Sequence, residues 1–491
     1  MPSTPVLRVA LLVFLHAMLL ALSLGCGGSN SLVLVVASLE DAMESTDGKL
    51  TLRKAIADVP DGGTIVFDAS LNGGEIELTT VGQRHSLLRG EVFTMSGMPP
   101  KWAFEGYLER DYGRSALYAA KDLTIDASAL PLGITLSWEG TEPARVLAVL
   151  GDLTLKNLTI RGGRAENEAI EGGTQPFTLG RGGAVACWGK AVLHNCVMHD
   201  NHAVGDTIAS RDRGAFGGAI YGDLLELYDC VISGNSVIGY GAAGGGVYSV
   251  GGTAGEGGSV IHRCSISGNC AMGQHTYGGG VYTDGGGPGN DRRLEIYDST
   301  IACNEVNDAP DIAQSPQAQY YYRGGAVYMS NGSLTIFGCT IFGNEVHGWA
   351  AEFSGRPNMG GGGIAATIGD AHTVEQMRIG HSIIVGNSVG ENDGASRDDD
   401  VFTGSLMNLA SRGYNRIGIL DFSRILVPVP EWDSISRRHW PKTGDDSGFE
   451  ADGVLNLAGI VRHPGIVSVG ADEGSFAVLY CPPSGDRKSV V

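Results

Sequence analysis

Positively charged residues are scarce in this sequence, and they form no basic run. Lysine and arginine together number 34 against 54 aspartate and glutamate residues, so the formal net charge is −20. A chain of this charge is repelled by polyanions, which excludes nucleic acid and a bare anionic membrane surface as partners and disfavours a polyanionic substrate. The sequence also has no Cys-x-x-Cys pair, so its 9 cysteines do not indicate a zinc site.

Glycine, in contrast, is abundant, and the glycines mark a repeat that occurs six times. Each copy opens with two or three glycines and a branched apolar residue, the openings beginning at Gly182, Gly217, Gly244, Gly278, Gly324 and Gly361. Each copy closes with Cys or Ser, an apolar residue two positions later, and Asn three further on. The closing asparagines are Asn201, Asn235, Asn269, Asn304, Asn344 and Asn387. Successive members of this set are 34, 34, 35, 40 and 43 positions apart. Such repeats indicate a stacked array, because one unit alone cannot bury its apolar face.

The repeat unit has the pattern of β-structure. Residues 225–227 and 294–296 alternate apolar and polar side chains with period two, and glycine interrupts every helical window. A glycine strand, an alternating strand and a Cys/Ser strand make three short strands per repeat, which is one coil of a parallel β-helix. An inward Asn at a bend can bond both its own turn and the Asn of the next coil, so we expect the six asparagines to form a ladder.

These repeats resemble those of right-handed parallel β-helix proteins of the pectate-lyase-like superfamily. More narrowly, the Gly-Gly-Ala-Val/Ile and Ile/Met-x-x-Asn signatures are similar to the repeats of bacterial polymorphic outer-membrane proteins, which typically have Phe where this chain has Ile or Met. The resemblance implies an all-β, right-handed single-stranded solenoid. It leaves function open, because this fold occurs in enzymes, adhesins and structural proteins alike.

The two ends resemble those of secreted bacterial β-helix proteins with a variable C-terminal anchor. Residues 47–56 and 62–68 are similar to the segment that opens such proteins, and they predict a short capping helix from Leu52 to Ala57. We assign residues 27–115 to a tether, an N-terminal cap and an insertion, and residues 116–389 to the β-helix repeats. Residues 390–491 are assigned to the last coils and a C-terminal cap.

Residues 1–26 have the pattern of a signal peptide. Arg8 precedes an apolar run from Val9 to Leu22, and small residues follow. The sequence Ser23-Leu24-Gly25-Cys26 resembles a bacterial lipobox, in which Cys26 is acylated; simple cleavage is the alternative. Either way the chain is expected to be exported, as an envelope or outer-membrane lipoprotein or as a secreted protein. A lipid on Cys26 is then its one expected attachment to a membrane.

Two columns of aromatic residues recur in the repeats. One follows the branched residue of the glycine opening and contains Tyr221, Tyr248, Tyr282 and Tyr328; the other precedes the Cys/Ser position by two residues and contains His194, Tyr228, His262 and Tyr297. Their neighbours in sequence point inward, so both columns are predicted to point outward. Rings stacked about 4.8 Å apart could contact a glycan lying along the axis, or they could stack only for stability.

One residue before the Cys/Ser column, charged side chains alternate up the coils. Asp229, Arg263 and Asp298 are the weak catalytic candidates, because enzymes of the resembled superfamily use acids or an Arg/Lys base on neighbouring coils. The alternative is a surface column of ion pairs. We expect a bend at this column, since Leu227 and Cys230 on either side of it must both face the core.

Cysteines and acidic turns leave two further questions open. Cys196, Cys230, Cys264 and Cys339 share one inward column, either as small core residues or as partners in disulfides between coils. Residues 286–291 and Asp398 to Asp400 could bind calcium, although a chance match and a solvated acidic turn are the simpler interpretations. No other cofactor is predicted.

The leading functional prediction is a non-catalytic exported bacterial surface protein that acts in adhesion or contacts glycans through its side wall. Structural residues repeat along the chain without any convergent, non-repeating polar set. The alternative is a carbohydrate-active enzyme, a polysaccharide lyase or glycoside hydrolase, on the same fold.

Overall fold

The computed structural model describes the central part of the chain and short pieces near its end. The described residues are 32–82, 113–166, 180–205, 214–251, 257–284, 292–309, 321–330, 332–348, 359–367, 377–391, 396–403, 409–411, 416–417, 420–421, 467–468 and 478–479. The predicted signal peptide, Cys26 and nearly all of the predicted insertion at 81–115 lie outside these ranges, so they stay predictions.

The chain winds into a parallel β-helix, which confirms the predicted fold class. Three long sheets run along the coils, and here they are numbered by their place after the glycine corner. Sheet 1 contains Val33–Val36, Gly63–Phe67, Ser115–Ala119, Leu123–Asp126, Arg145–Val149, Leu153–Lys156, Val185–His194, Ile220–Tyr228, Val247–Ser249, Ser259–His262, Val281–Asp284, Arg293–Tyr297, Val327–Ser330, Ser333–Phe337, Ile364–Thr367, Met377–Gly380, Val401–Thr403, Leu409–Ser411 and Leu420–Asp421.

The other two sheets hold the remaining strands of each coil. Sheet 2 contains Glu75–Leu78, Ile134–Trp138, Leu158–Arg161, Val197–His199, Val231–Ser233, Ser265–Ser267, Thr300–Ala302, Thr340–Phe342, Ile383–Val385 and Arg416–Ile417. Sheet 3 contains Arg164–Glu166, Gly180–Arg181, His202–Val204, Ala215–Phe216, Ser236–Ala243, Cys270–Tyr277, Glu305–Asn307, Tyr321–Arg323, Glu345–Gly348, Met359–Gly360, Ser388–Glu391 and Ser396–Asp398. A separate antiparallel pair joins Val467–Ser468 to Val478–Leu479.

Equivalent residues of successive repeats are paired in register. Ile220 lies opposite Val247, which lies opposite Val281, and Val281 lies opposite Val327. Sheet pairing is parallel throughout the described coils except between Ser388–Glu391 and Ser396–Asp398, which pair antiparallel. The sequence columns are therefore physical columns, one residue per coil.

Each coil bends at three corners, and the residue at each corner has a left-handed backbone conformation with positive φ. The first is the leading glycine of the repeat, such as Gly217 with φ 67°; its neighbour Gly218 has no room for a Cβ atom, which would collide with the carbonyl oxygen of Gly245. The second is the charged column, where Asp229 has φ 56°, so the bend predicted between Leu227 and Cys230 is confirmed. The third precedes the asparagine ladder and holds Asp200, Gly234, Gly268, Cys303, Gly343 and Gly386.

The predicted capping helix is present at the N-terminal end of the solenoid. Helix α1, Leu52–Asp58, begins after Thr51, whose hydroxyl accepts a hydrogen bond from the backbone N–H of Lys54 at 3.1 Å. Leu52, Ala55 and Ile56 are buried in the same core as the first strands. A short 3₁₀ turn, Ala69–Leu71, follows the second strand. The helix thus covers apolar surface that a solenoid would otherwise expose at its end.

The asparagine ladder is also present, and every member is buried. Asn201 donates from its backbone N–H and from Nδ2 to Oδ1 of Asn235, both at 3.0 Å, and Asn235 donates from Nδ2 to Oδ1 of Asn269 at 2.9 Å. The same pattern continues to Asn387, whose Nδ2 lies 2.7 Å from Oδ1 of Asp400. These bonds satisfy polar groups that would otherwise be costly inside the core.

The four column cysteines Cys196, Cys230, Cys264 and Cys339 are buried free thiols. The backbone N–H of Cys230 donates to the sulfur of Cys264 at 3.4 Å, and Ser299 continues the column by accepting from the N–H of Cys264 at 3.0 Å. The hydrogen bond with the Cys196 thiol, together with burial, raises the pKa of Cys230 to about 12. These cysteines therefore act as small core residues in the structure. Cys303, at a corner, is disulfide-bonded.

Candidate functional site

The column Tyr221, Tyr248, Tyr282 and Tyr328, here called the tyrosine file, stacks as predicted but does not lie on the surface. Ring centroids of successive tyrosines are 5.3, 4.7 and 5.5 Å apart, with interplanar angles of 15°, 9° and 22°. Tyr221, Tyr248 and Tyr328 are only 6%, 8% and 5% exposed, and Tyr282 is partly exposed. The prediction of an outward glycan platform at these tyrosines is therefore wrong for three of the four.

The tyrosines are covered by side chains from the strand that precedes each glycine corner. Phe216 lies 4.9 Å from the ring of Tyr248, and Tyr277 lies 4.7 Å from the ring of Tyr328. Ala243 belongs to the same cluster. The tyrosines do point away from the main core, but at the glycine corner the outer faces of the two flanking strands pack together and form a second hydrophobic cluster. Desolvation accordingly raises the pKa of the Tyr248 phenol well above its usual value.

The second column, His194, Tyr228, His262 and Tyr297, is here called the exposed file, and all four of its rings are partly exposed. The rings of His194 and Tyr228 stack at 5.0 Å with an angle of 11°, whereas His262 meets Tyr228 and Tyr297 edge to face at 6.3 Å. Phe337 continues the file on the next coil and is 38% exposed. Among the described residues an outside molecule can reach these rings on five successive coils, and it can also reach a shorter set on sheet 3, Tyr240, His275 and Tyr321.

Two tyrosines of the exposed file are held by carboxylates on the same face. The hydroxyl of Tyr228 donates to Glu226 at 3.3 Å, and that of Tyr297 donates to Glu295 at 3.2 Å. Partial desolvation, with the nearby carboxylate as a lesser cause, raises the pKa of both phenols. These bonds restrict the rings to one orientation along the wall.

The corner column beside the exposed file is a chain of ion pairs. Arg263 donates to both carboxylate oxygens of Asp229, at 2.6 and 2.7 Å. The same guanidinium lies 2.9 Å from Nδ1 of His262, and Nε2 of His262 lies 3.2 Å from Asp298. Because a guanidinium can only donate, Nδ1 of His262 accepts a hydrogen bond from Arg263. The proton of this imidazole is then on Nε2, which donates a hydrogen bond to Asp298.

The three catalytic candidates Asp229, Arg263 and Asp298 are all members of this chain of ion pairs. The hydrogen bonds from Arg263 lower the pKa of Asp229, and the same bonds raise the pKa of Arg263. A proton donor needs a raised carboxyl pKa and a base needs an unprotonated guanidinium, so both shifts run against general acid–base work. The geometry corresponds to the ion-pair column that the sequence left as the alternative.

A third set of residues, which can ligate a metal, lies on sheet 3. It was not identified from the sequence. Donor atoms of Glu305, Glu345 and His347 all lie within 4.8 Å of one another. The hydrogen bond to Glu345 raises the pKa of His347. A signal was available, because Asn304-Glu305 and Asn344-Glu345 place both glutamates directly after the asparagine ladder on successive coils.

The two calcium candidates have different outcomes. Residues 286–291 lie outside the described residues. Asp399 and Asp400 are each 1% exposed, so the interpretation of a solvated acidic turn is wrong for these two residues, while the side chain of Asp398 lies outside the described part of the structure. Asp400 accepts from Asn387 in the place of the next ladder asparagine, and Asp399 accepts from the N–H of Gly361 at 3.1 Å. These carboxylates end the ladder of buried polar groups.

No family model, curated protein or solved structure matches this chain. The fold is therefore established by the coordinates and the repeat, and the superfamily resemblance stays an inference from sequence motifs. Within the described residues, none of the helical segments has the length and apolar character needed to cross a membrane.

Proposed function

We propose that this chain is a non-catalytic, exported bacterial surface protein that contacts glycans through the exposed file. The observation that carries the proposal is the presence of a partly exposed ring on five successive coils, from His194 to Phe337, on one wall of sheet 1. The spacing of neighbouring strands, about 4.8 Å, sets the repeat of the rings. An extended ligand lying along the axis can therefore touch several rings at once.

The surroundings of the rings suit a sugar. Aromatic faces pack against the apolar face of a pyranose, while polar groups at the rim bond its hydroxyls. Glu226 and Glu295 on the same wall, and Asp229 and Arg263 at the adjoining corner, supply such donors and acceptors. The charges alternate in sign and the whole chain is acidic, which favours a neutral glycan over a polyanionic one.

Export and family membership belong to the same proposal and rest on sequence. The pattern of residues 1–26 supports export, the lipobox-like sequence supports an anchor at Cys26, and the repeat signatures support a place among pectate-lyase-like β-helix proteins. An anchored rod of this kind would present its side wall to the surroundings of the cell. Adhesion or matrix contact is the role that such a wall fits.

The test is a glycan-array assay on the chain from residue 27 onward, comparing wild type with the double variant Tyr228→Ala/Tyr297→Ala. We expect wild type to bind a subset of neutral glycans and the double variant to lose at least about tenfold in affinity, because two stacking faces are removed. The control is Val231→Ala, which removes an exposed apolar side chain from sheet 2. Binding that survives in the double variant, or is lost in the control, would contradict the proposal.

The enzymatic alternative predicts turnover rather than binding alone. Incubation with a panel of uronic-acid and neutral polysaccharides, followed by measurement of new reducing ends or unsaturated products, separates the two. Activity that disappears in Asp229→Asn and Arg263→Gln would replace the proposed function with catalysis. We expect no activity, because Asp229 and Arg263 neutralise each other.

A further inference from the structure

The cluster of Glu305, Glu345 and His347 on sheet 3 connects two neighbouring coils, and it lies on a different sheet from the exposed file. Glu305 begins the strand Glu305–Asn307, Glu345 begins the next strand, Glu345–Gly348, and the two glutamates lie directly opposite each other in parallel register. His347 follows Glu345 by two positions, so its side chain leaves the same face of the sheet. Three side chains that can ligate a metal thus converge from two neighbouring strands.

The distances are close to those of a bound metal. Nε2 of His347 lies 2.9 Å from Oε2 of Glu345 and 3.9 Å from Oε1 of Glu305. Nitrogen and oxygen ligands about 2.05 Å from a tetrahedral Zn²⁺ are separated from each other by about 3.3 Å. The two observed distances bracket that value, so side-chain adjustments of about 1 Å or less would complete the geometry.

The charges of the two glutamates, which His347 already pairs with, also favour a cation at this place. Two carboxylates directly opposite on neighbouring strands repel each other. The side chain of Glu305 is 12% exposed and that of Glu345 is 43% exposed, so water screens this repulsion only in part. The other members of the same column are Arg164, His202, Ser236, Cys270, Ser388 and Asp398, so this is the one place in the described column where two carboxylates are adjacent.

We propose that Glu305, Glu345 and His347 bind one divalent transition-metal ion of the zinc type. An imidazole nitrogen combined with two carboxylate oxygens suits Zn²⁺ and its neighbours better than Ca²⁺, which takes six to eight oxygen ligands. Three protein ligands leave a fourth position for water. The ion bridges adjacent coils, neutralises the opposed glutamates and so stabilises this part of the solenoid.

The experiment measures Zn²⁺ binding to the metal-stripped full chain by equilibrium dialysis, together with the shift in melting temperature that Zn²⁺ causes. We expect one saturable equivalent and a raised melting temperature in wild type. His347→Gln, which keeps a hydrogen-bonding group beside Glu345, and Glu345→Gln should each weaken binding by about tenfold or more and abolish the shift. An excess of Ca²⁺ should not displace the Zn²⁺.

The matched control is His202→Gln, which removes a histidine three coils away whose ring faces Ser236 at 2.8 Å. This variant should bind Zn²⁺ as wild type does. The proposal is overturned if wild type shows no saturable equivalent, or if His347→Gln binds as tightly as His202→Gln. Because the exposed file lies on sheet 1, failure of the zinc test leaves the glycan proposal unaffected. Failure of the glycan assay likewise leaves the zinc proposal unaffected.

Discussion

The tyrosine file and the exposed file occupy the same sheet and obey the same alternation, yet three of the four rings in the first are buried whereas all the rings in the second are accessible. Both consist of residues whose sequence neighbours face the main core. The tyrosine file lies beside the glycine corner, where Phe216 and Tyr277 of the preceding strand fold over it. The exposed file lies beside the charged corner, where the next strand turns away toward sheet 2. Alternation therefore identifies side chains that leave one core, whereas the shape of the adjoining corner decides whether they enter another.

The sharpest way to test this difference is to remove one tyrosine from each file. Tyr248→Ala should lower the free energy of unfolding by about 3–5 kcal/mol, because it leaves a cavity beside Phe216 and two stacked rings. Tyr228→Ala should cost less than about 1 kcal/mol, since water already reaches its ring. Urea unfolding followed by circular dichroism measures both changes.

The matched variant Tyr248→Phe keeps the ring and removes only the hydroxyl, so it should lie much closer to wild type than Tyr248→Ala. Equal losses for the alanine variants of the two files would mean that both are buried to the same extent. That result would remove the distinction on which the glycan proposal depends.

The sequence predicted the features that every coil repeats. The glycine openings, the asparagine ladder and the bend before Cys230 are each required by the backbone of one coil, so they recur with the repeat and can be recognised by counting. The helix α1 was predictable for the same reason, because Thr51 and the apolar residues Leu52 and Ile56 form a local pattern.

Burial of the tyrosine file was not predictable in the same way, because it depends on the angle between two strands and not on either strand alone. A signal existed in Phe216, Ala243 and Tyr277, which place an apolar residue directly before the glycine opening in three successive copies. Glu305 and Glu345, in contrast, were within reach of the sequence, because each directly follows a ladder asparagine and the predicted ladder already placed them on successive coils.

Alkaline pH provides an intermediate test of the two files. Burial raises the pKa of Tyr248 well above its ordinary value, so the unfolded chain loses this proton first and the folded chain retains it. The stability linked to Tyr248 is therefore present below about pH 10 and is lost as pH rises further, by up to about 1.4 kcal/mol per pH unit. The pKa of Tyr228 and Tyr297 is also raised, mainly by partial desolvation.

The measurement is a phenolate absorbance titration with circular dichroism recorded alongside. We expect Tyr228→Phe/Tyr297→Phe to remove a reversible component that precedes unfolding, while the tyrosine file ionises only with the unfolding transition. Reversible ionisation of Tyr248 in the folded protein, detected as a component lost in Tyr248→Phe, would show that its hydroxyl reaches water.

The smallest expected effect comes from the charged corner beside the exposed file. Hydrogen bonds from Arg263 lower the pKa of Asp229, so the stability from this carboxylate is present above its unfolded pKa, near 3.9, and is lost as pH falls through the lower folded value. Both side chains are about half exposed, and water and salt screen the pair.

Asp229→Asn keeps a residue that tolerates the left-handed corner, so it isolates the ion pair from backbone strain. We expect a loss at neutral pH smaller than that of Tyr228→Ala, reduced further at high salt and absent in acid, measured by urea unfolding at each condition. A loss as large as that of Tyr248→Ala would mean that this corner, like the glycine corner, covers a buried layer.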